Sequence, residues 1–417
     1  MSEMSLRKSG SFFSSRPALI SRFGSMEVGE AVYLLGLFVF YTQAFLDTTM
    51  IAYVIPQETI PVLKAVAFAF VAIKIALTDY SHSSVFRGFI VLLIVFASVL
   101  TNRIGGYAAP LQFLIMVIGA KGVNFDRIAR LFLWSSVVLT LVTISSALSG
   151  AVENVVVPRR GGAVYSYGFY YSTEFSAHVL SISIAWLYVF RNELSARVYL
   201  PALLWSGITF YLTNGRLSFY LTLVIVFLVL IADHRSKKKK EEYRYPRILK
   251  FSFAMAALVS IALMIFYKGG GFWGSINGLL TDRLFYAHEG YIRYGLTLFG
   301  QQIQMTGWGG GRTVWAENYF YIDNSYVNIL IRFGAVTFLA ALAISSLPYA
   351  RLRDSSGVVA VLISAVAVAS FVNEHLMGLS YNLFALMAFA SSSDFIAAKK
   401  DSIVHSRGKN QGAPNGR

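Results

Sequence analysis

Runs of roughly 17–25 apolar residues recur along almost the whole chain, the length an α-helix needs to cross a bilayer. Lipid offers the backbone no hydrogen-bond partners, so such runs must form helices that satisfy their own N–H and C=O groups. With 56% hydrophobic and 14% charged residues among 417, too little polar surface remains for a soluble domain of this size. The expected class is therefore an all-α polytopic membrane protein with about twelve transmembrane helices. The candidate spans cover residues 30–46, 60–78, 88–101, 107–119, 131–148, 173–190, 198–212, 217–233, 251–267, 325–347, 356–372 and 380–397.

Charge sets the expected orientation. Lys and Arg gather in cytoplasmic loops of membrane proteins. Most of the 36 Lys+Arg fall on one side if the amino terminus is cytoplasmic. That side takes Lys121, Arg127, Arg130, Arg191, Arg197, "HRSKKKKEEYRYPRILK" (234–250), "RLRD" (351–354) and the basic tail. The net charge of +15 thus reads as topology and not as nucleic-acid binding. Lys237–Lys240 reads as a topology signal lying on anionic headgroups, with a regulatory lipid patch as the alternative. Residues 1–28 form a polar cytoplasmic segment without the pattern of a cleaved leader. Residues 29–267 hold spans one to nine, with an outer loop near 149–172. Residues 268–324 form a large outer loop, 325–398 the last three spans, and 399–417 a disordered cytoplasmic tail. Both termini are expected to be cytoplasmic.

The large loop is too long to be structureless, so it is expected to fold over the membrane surface. Within it, 281–300 suits a short amphipathic helix with Leu284, Phe285, Ile292 and Leu296 on one face. The outward cations are informative because orientation does not explain them: Arg103, Arg159, Arg160, Arg216, Lys268, Arg283, Arg293 and Arg312. A guanidinium matches phosphate geometry, so arginines around one outer cavity suit a pyrophosphate, although each can also anchor to headgroups. Arg332, about two turns into the tenth span, either pairs with an acid such as Glu374 or meets a phosphate.

Outer-side acids that could move protons are Glu174, Glu289, Asp323 and Glu374. Glu174 and His178 are four apart and share a helix face. Asp323-Asn324 precedes a helix, so Asp323 has a bland reading as an N-cap. His288-Glu289 is not a zincin motif, because the position for the second His is Ile292. Cysteine is absent, which excludes thiolate metal sites and cysteine nucleophiles. No phosphate-binding P-loop, Ser nucleophile elbow or closely spaced acidic pair for a metal–nucleotide sugar is present, so neither cofactor nor metal is expected.

Four stretches together resemble the bacterial Wzy-type polysaccharide polymerases of the O-antigen ligase/polymerase superfamily. "RRGGAVYSYGFYYSTEFSAH" is similar to their arginine-containing outer loop, and "TNGRLSF" to their outer Thr-x-x-Arg turn. "LTDRLFYAHEGYIRYGLTLFG" followed by "YIDNSYVNILIRFGAV" resembles their large loop entering an Asp-Asn-x-Tyr helix. "VNEHLMGLSYNLF" resembles their Glu-containing approach to the last span. The resemblance implies a GT-C-like, metal-independent glycosyltransferase in the bacterial cytoplasmic membrane, with its active site facing outward. It would join oligosaccharide repeat units carried on undecaprenyl pyrophosphate, which serve as both donor and acceptor. A flippase and a chain-length regulator are the implied partners. Arg159, Arg160, Arg216 and Arg283 would hold pyrophosphate. Asp323, then Glu289, would accept the proton or orient the acceptor. Arg332, Glu374, His288, Glu174 and Arg293 stand behind them. Related ligases carry His where Asp323 stands, which favours polymerase over ligase. The alternatives are a ligase attaching finished glycan and, from another class, a lipid-linked oligosaccharide flippase.

Overall fold

The computed structural model describes residues 27–78, 85–159, 162–239, 244–307 and 319–396. The expected amino-terminal segment up to residue 26, the tail from 397, Arg160, Lys240 and Arg312 lie outside the described residues. The chain is largely helical: α1 Val28–Leu46, α2 Thr59–Leu77, α3 Val85–Gly105, α4 Ala109–Gly119, α5 Phe125–Leu148, α6 Ser172–Val189, α7 Ala196–Thr213, α8 Arg216–Lys239 and α9 Ser252–Phe266. After these come α10 Gly271–Leu279, α11 Arg283–Tyr294, α12 Ser325–Asn328, α13 Gly334–Arg351 and α14 Gly357–Val372. Between α5 and α6, β1 Val156–Arg159 and β2 Gly162–Tyr165 form an antiparallel hairpin pairing Val156 with Tyr165.

Seven helices among the described residues are long and apolar enough to cross a membrane: those over 28–46, 59–77, 88–105, 125–148, 216–238, 247–266 and 325–351. Leu92 (67% exposed), Phe96 (60%), Leu204 (63%) and Leu258 (68%) face outward from α3, α7 and α9, as lipid-facing side chains do. The protein is a helical membrane protein. By contrast α6, rich in Ser and carrying Glu174 and His178, is buried on nearly every side by other helices. Ser176, Ser181 and Ser183 each donate to the carbonyl four residues back, as Ser181 does to Ala177 at 3.0 Å, so these three hydroxyls are satisfied within the helix.

The helices run alternately between two ends of the bundle. At one end Arg191 bridges Asp126 (2.7 Å) and Asp394 (2.9 Å) beneath the Tyr188 ring, tying α5, α6 and the residues after α14 together. Arg127 pairs with Glu30 at the same end. The opposite end carries the hairpin, α10, α11 and the starts of α6 and α12.

Two departures from the sequence expectation matter. Over the described part of the expected twelfth span, residues 380–396, no α-helix forms. A 3-10 turn, Leu383–Ala388, sits inside an irregular strand of chain that runs from Glu374 to Ser391. Non-helical backbone survives in such a setting only when protein supplies its partners. Arg351 does so, donating to the carbonyls of Ala388 (2.9 Å) and Ala390 (3.0 Å), while Ser391 exchanges backbone bonds with Val123 and Phe125 at 2.8 Å. The apolar run was legible, but its pairing with a distant arginine was not.

The tenth span is also broken. Ile329–Phe333 is a π-helical turn, and Gly334 follows at φ 86°. The break frees backbone groups that the 297–301 segment of the large loop takes up. Ala335 N donates to Thr297 O (2.9 Å), Val336 N to Leu298 O (3.1 Å), and Gln301 N to Arg332 O (3.1 Å). The Gln301 side chain adds bonds to Gly295 O (3.3 Å) and Ile331 O (3.2 Å). The large loop therefore reaches into the bundle as well as covering it. Its helix α11 buries Leu284, Ala287 and Gly290, whereas Phe285, Ile292 and Leu296 remain exposed, so the expected apolar face is shifted. A Cβ on Gly334 would lie 2.4 Å from Gly300 N and 2.5 Å from Leu298 O, backbone atoms that have no side chain to swing aside. Gly334→Ala is expected to destabilise the protein by about 2 kcal/mol or more, read as a lower heat-unfolding midpoint in detergent. Gly29→Ala, with nothing within 4 Å of the new Cβ, should leave the midpoint unchanged.

Candidate functional site

The site is organised by the short stretch Asp323–Asn328 where the large loop enters α12. Its cap is Asn324, not Asp323: the Asn324 Oδ1 accepts from Tyr326 N (2.9 Å) and Val327 N (3.2 Å). Asn324 Nδ2 donates to Ser260 Oγ on α9 at 2.9 Å. Ser325 Oγ donates to Asn373 O (2.5 Å) and accepts from Leu376 N (3.1 Å), fixing the turn after α14 on both sides of Glu374. Asn328 Nδ2 donates to Ile322 O (2.8 Å) and to Glu374 Oε2 (2.9 Å). The other Glu374 oxygen accepts from the Tyr321 hydroxyl.

With capping done by its neighbour, the Asp323 carboxylate is free to face Arg283 Nε at 3.3 Å. Arg283 opens α11 immediately after Thr281 (φ 53°) and Asp282 (φ 66°). Two consecutive non-glycine residues in the left-handed region are strained and persist only where the surroundings hold them. Here Asn277 does so, donating to Asp282 Oδ1 at 2.7 Å and accepting from Phe285 N at 2.9 Å. The strained turn sets where Arg283 emerges.

A second carboxylate–tyrosine pair lies alongside. Tyr381 donates to Glu174, and its ring is stacked between His375 (3.7 Å between centroids) and His178 (4.4 Å). His178 is held by Thr48 Oγ1 at 2.9 Å. Glu174 and His178 thus share a helix face, as their spacing implied, and both address Tyr381. Arg332 lies with its guanidinium 4.1 Å from the Tyr107 ring centroid. It is within electrostatic reach of Glu374, yet among the described residues it has no ion pair, and its buried Nε has no hydrogen-bond partner.

Three carboxylates and two arginines therefore crowd one end of the bundle, and burial dominates their chemistry. Burial pushes Glu374 up to about 7, opposed by the Tyr321 hydrogen bond and by Arg332, and reinforced by Asp323 and Glu174. Burial also raises Asp323, with Arg283 acting against it. His375 is lowered to about 3 by burial and the Arg283 charge, so it is neutral at pH 7. Such a cluster can bind an anion at its arginines and take up a proton at a carboxylate.

Of the sequence candidates, Glu174, Arg283, Asp323, Glu374 and Arg332 are brought together. Arg216 starts α8 at the rim, its Nε bonded to Asn214 Oδ1 at 3.2 Å. Gly215 before it is packed so closely that a Cβ would lie 2.0 Å from Ser176 Oγ, setting Arg216 beside the first turns of α6. Arg159 ends β1 at the hairpin tip. Other candidates are engaged elsewhere on α11: Glu289 binds Arg293 at 2.6 Å, Arg293 lies over the Phe320 ring, and His288 Nδ1 meets Met264 O at 2.7 Å. Sequence reading missed Tyr321, Asn328 and Tyr381. The one available signal was the pair Asn324 and Asn328, amides four apart entering an otherwise apolar helix.

No protein-family model, curated protein or solved structure matches this chain.

The raised Glu374 value has a definite sign. Its proton is held in the folded state up to about pH 7. The stability gained from the neutral form is present at low pH and is lost as pH rises through about 7. His375 acts oppositely, since the folded state keeps it neutral while the unfolded chain protonates it below its ordinary value of 6.5. An infrared titration should therefore show a protonated-carboxyl C=O band that fades through about pH 7. Glu374→Gln should remove part of its amplitude. A band unchanged in that variant would contradict the assignment.

Proposed function

We propose that the protein is a metal-independent, GT-C-like glycosyltransferase that polymerises oligosaccharide repeat units carried on undecaprenyl pyrophosphate. What carries the reading is the Arg283–Asp323 pair beside Glu374 and Arg332, at the end of the bundle covered by the large loop. Support comes from the four stretches that resemble the Wzy-type polymerases, three of which contribute residues to this cluster through Glu174, through Arg283, Asp323 and Arg332, and through Glu374.

In this reading the chain crosses the membrane twelve times. The irregular 376–391 segment counts as the last crossing, because the helices before it alternate direction between the two ends. The Arg191–Arg351 end, with its excess of Lys and Arg, faces the bacterial cytoplasm, and the cluster faces outward. Donor pyrophosphate is held by Arg283 and Arg332, with Arg216, and Arg159 and Arg160 of the first outer loop, as further phosphate ligands. Fixed guanidinium groups stabilise the charge that grows on the leaving phosphate. A carboxylate of the cluster receives the proton of the attacking hydroxyl. The partners are the lipid-linked glycan in both donor and acceptor roles, a flippase that delivers it and a chain-length regulator.

Deleting the gene should leave single repeat units on the carrier at the outer face, seen by extracting and sizing lipid-linked glycan. Arg283→Ala should lower polymer yield by about 10²–10³-fold at normal protein level. Accumulation of long carrier-bound chains in the deletion strain would instead identify a ligase.

A further inference from the structure

The two carboxylates beside the arginines are held in different ways. Asp323 has a guanidinium at 3.3 Å, so one of its oxygens is already engaged by a fixed cation whose charge opposes the upward push of burial. Glu374 has no ion pair among the described residues. Each of its oxygens accepts one hydrogen bond, from Tyr321 and from Asn328. An ionised carboxylate oxygen can accept two, so each keeps a lone pair for a substrate hydroxyl. Ser325 fixes the backbone on both sides of it, through Asn373 O and Leu376 N. Position, orientation and spare acceptor capacity coincide at this one residue.

The groups around it fit the same role. Arg332 faces Glu374 with attractive charge, Glu174 and Asp323 face it with repulsive charge, and Tyr321 donates to it. Taking up a proton removes one of three mutually repelling charges, which favours the uptake. Glu174 is spoken for differently, its donor Tyr381 being clamped in the His178–His375 stack.

We propose that Glu374 is the catalytic base of the transfer, and that Asp323 remains an anion whose work is to position Arg283. The assignment rests on the polymerase reading above. In the step, the acceptor oxygen forms its bond to the donor's anomeric carbon as the bond from that carbon to the phosphate oxygen breaks. The pyrophosphate leaves with the electron pair on its carrier, and the hydroxyl proton passes to the Glu374 carboxylate.

The test uses membranes carrying wild type or variant, supplied with lipid-linked repeat units extracted from the deletion strain. Chain elongation is measured across pH. Glu374→Gln should lower the rate by about 100-fold or more and abolish the acid limb of the profile. Asp323→Asn should slow elongation yet keep that limb. Tyr321→Phe keeps the carboxylate but removes a hydrogen bond to its charged form, so it should move the acid limb to higher pH. Glu374→Asp, which should retain more activity than the Gln variant, guards against simple misfolding, as does the heat-unfolding midpoint of each purified protein. An acid limb that survives Glu374→Gln, or that is unmoved by Tyr321→Phe and lost in Asp323→Asn, overturns the assignment. If wild type elongates and Glu374→Gln does so nearly as fast, only the assignment falls. If wild type does not elongate at all, the polymerase reading falls and takes the assignment with it.

Discussion

A single turn of polar residues, Asn324 to Asn328, is the constraint on which the rest of this end of the protein depends. Its side chains reach Ser260 on α9, Asn373 and Leu376 beyond α14, Ile322 in the incoming loop and Glu374 itself. Tyr326 adds a bond to Ala367 O at 2.8 Å from a fully buried position. In an apolar interior, an unmet buried polar group costs about 1–3 kcal/mol. Any slide of α12 along its neighbours would leave several such groups unmet at once. The turn is thus fixed in register, and the carboxylates it addresses inherit that precision.

Directly below it the helix gives way. The π-helical turn and Gly334 interrupt the hydrogen-bond ladder in the middle of the longest apolar stretch. The loop segment 297–301 completes the ladder from outside, so loop and helix make one hydrogen-bonded unit. This also accounts for Arg332. The break turns its guanidinium onto Tyr107, whose hydroxyl in turn accepts from Ile303 N at 3.0 Å. A charge two turns into an apolar helix is tolerable because an aromatic face and the loop shelter it.

Much of this was legible in the sequence, for physical reasons. Apolar length gave the helices, since lipid permits little else, and the spacing of Glu174 and His178 gave a shared face. Asn-Gly in "TNGR" gave a tight turn, borne out by α7 ending at Thr213, Asn214 standing at φ 53° and α8 starting at Arg216. What could not be read depends on contacts between distant residues. Asp323 and Asn324 are equally good caps by composition, and only the position of Ser260 and Arg283 decides between them. The Tyr321–Glu374 and Tyr381–Glu174 pairs join residues far apart in the chain, and tyrosines in membrane proteins are too common at interfaces to stand out. Residues 380–397 read as a span because hydropathy reports burial and says nothing of the partner that meets the backbone.

That last segment has a consequence for how the protein is made. A helix can leave the insertion machinery for lipid with its backbone already satisfied. The stretch from Leu383 to Ser391 cannot, because its Ala388 and Ala390 carbonyls are met by Arg351 and its Ser391 end by Val123 and Phe125. Its backbone is satisfied only where Arg351 and residues 123–125 lie against it. Glu374 precedes this stretch, and Asp394, locked to Arg191, follows it. One continuous non-helical segment thus joins the ion pairs of the Arg191 end to the carboxylate at the opposite end.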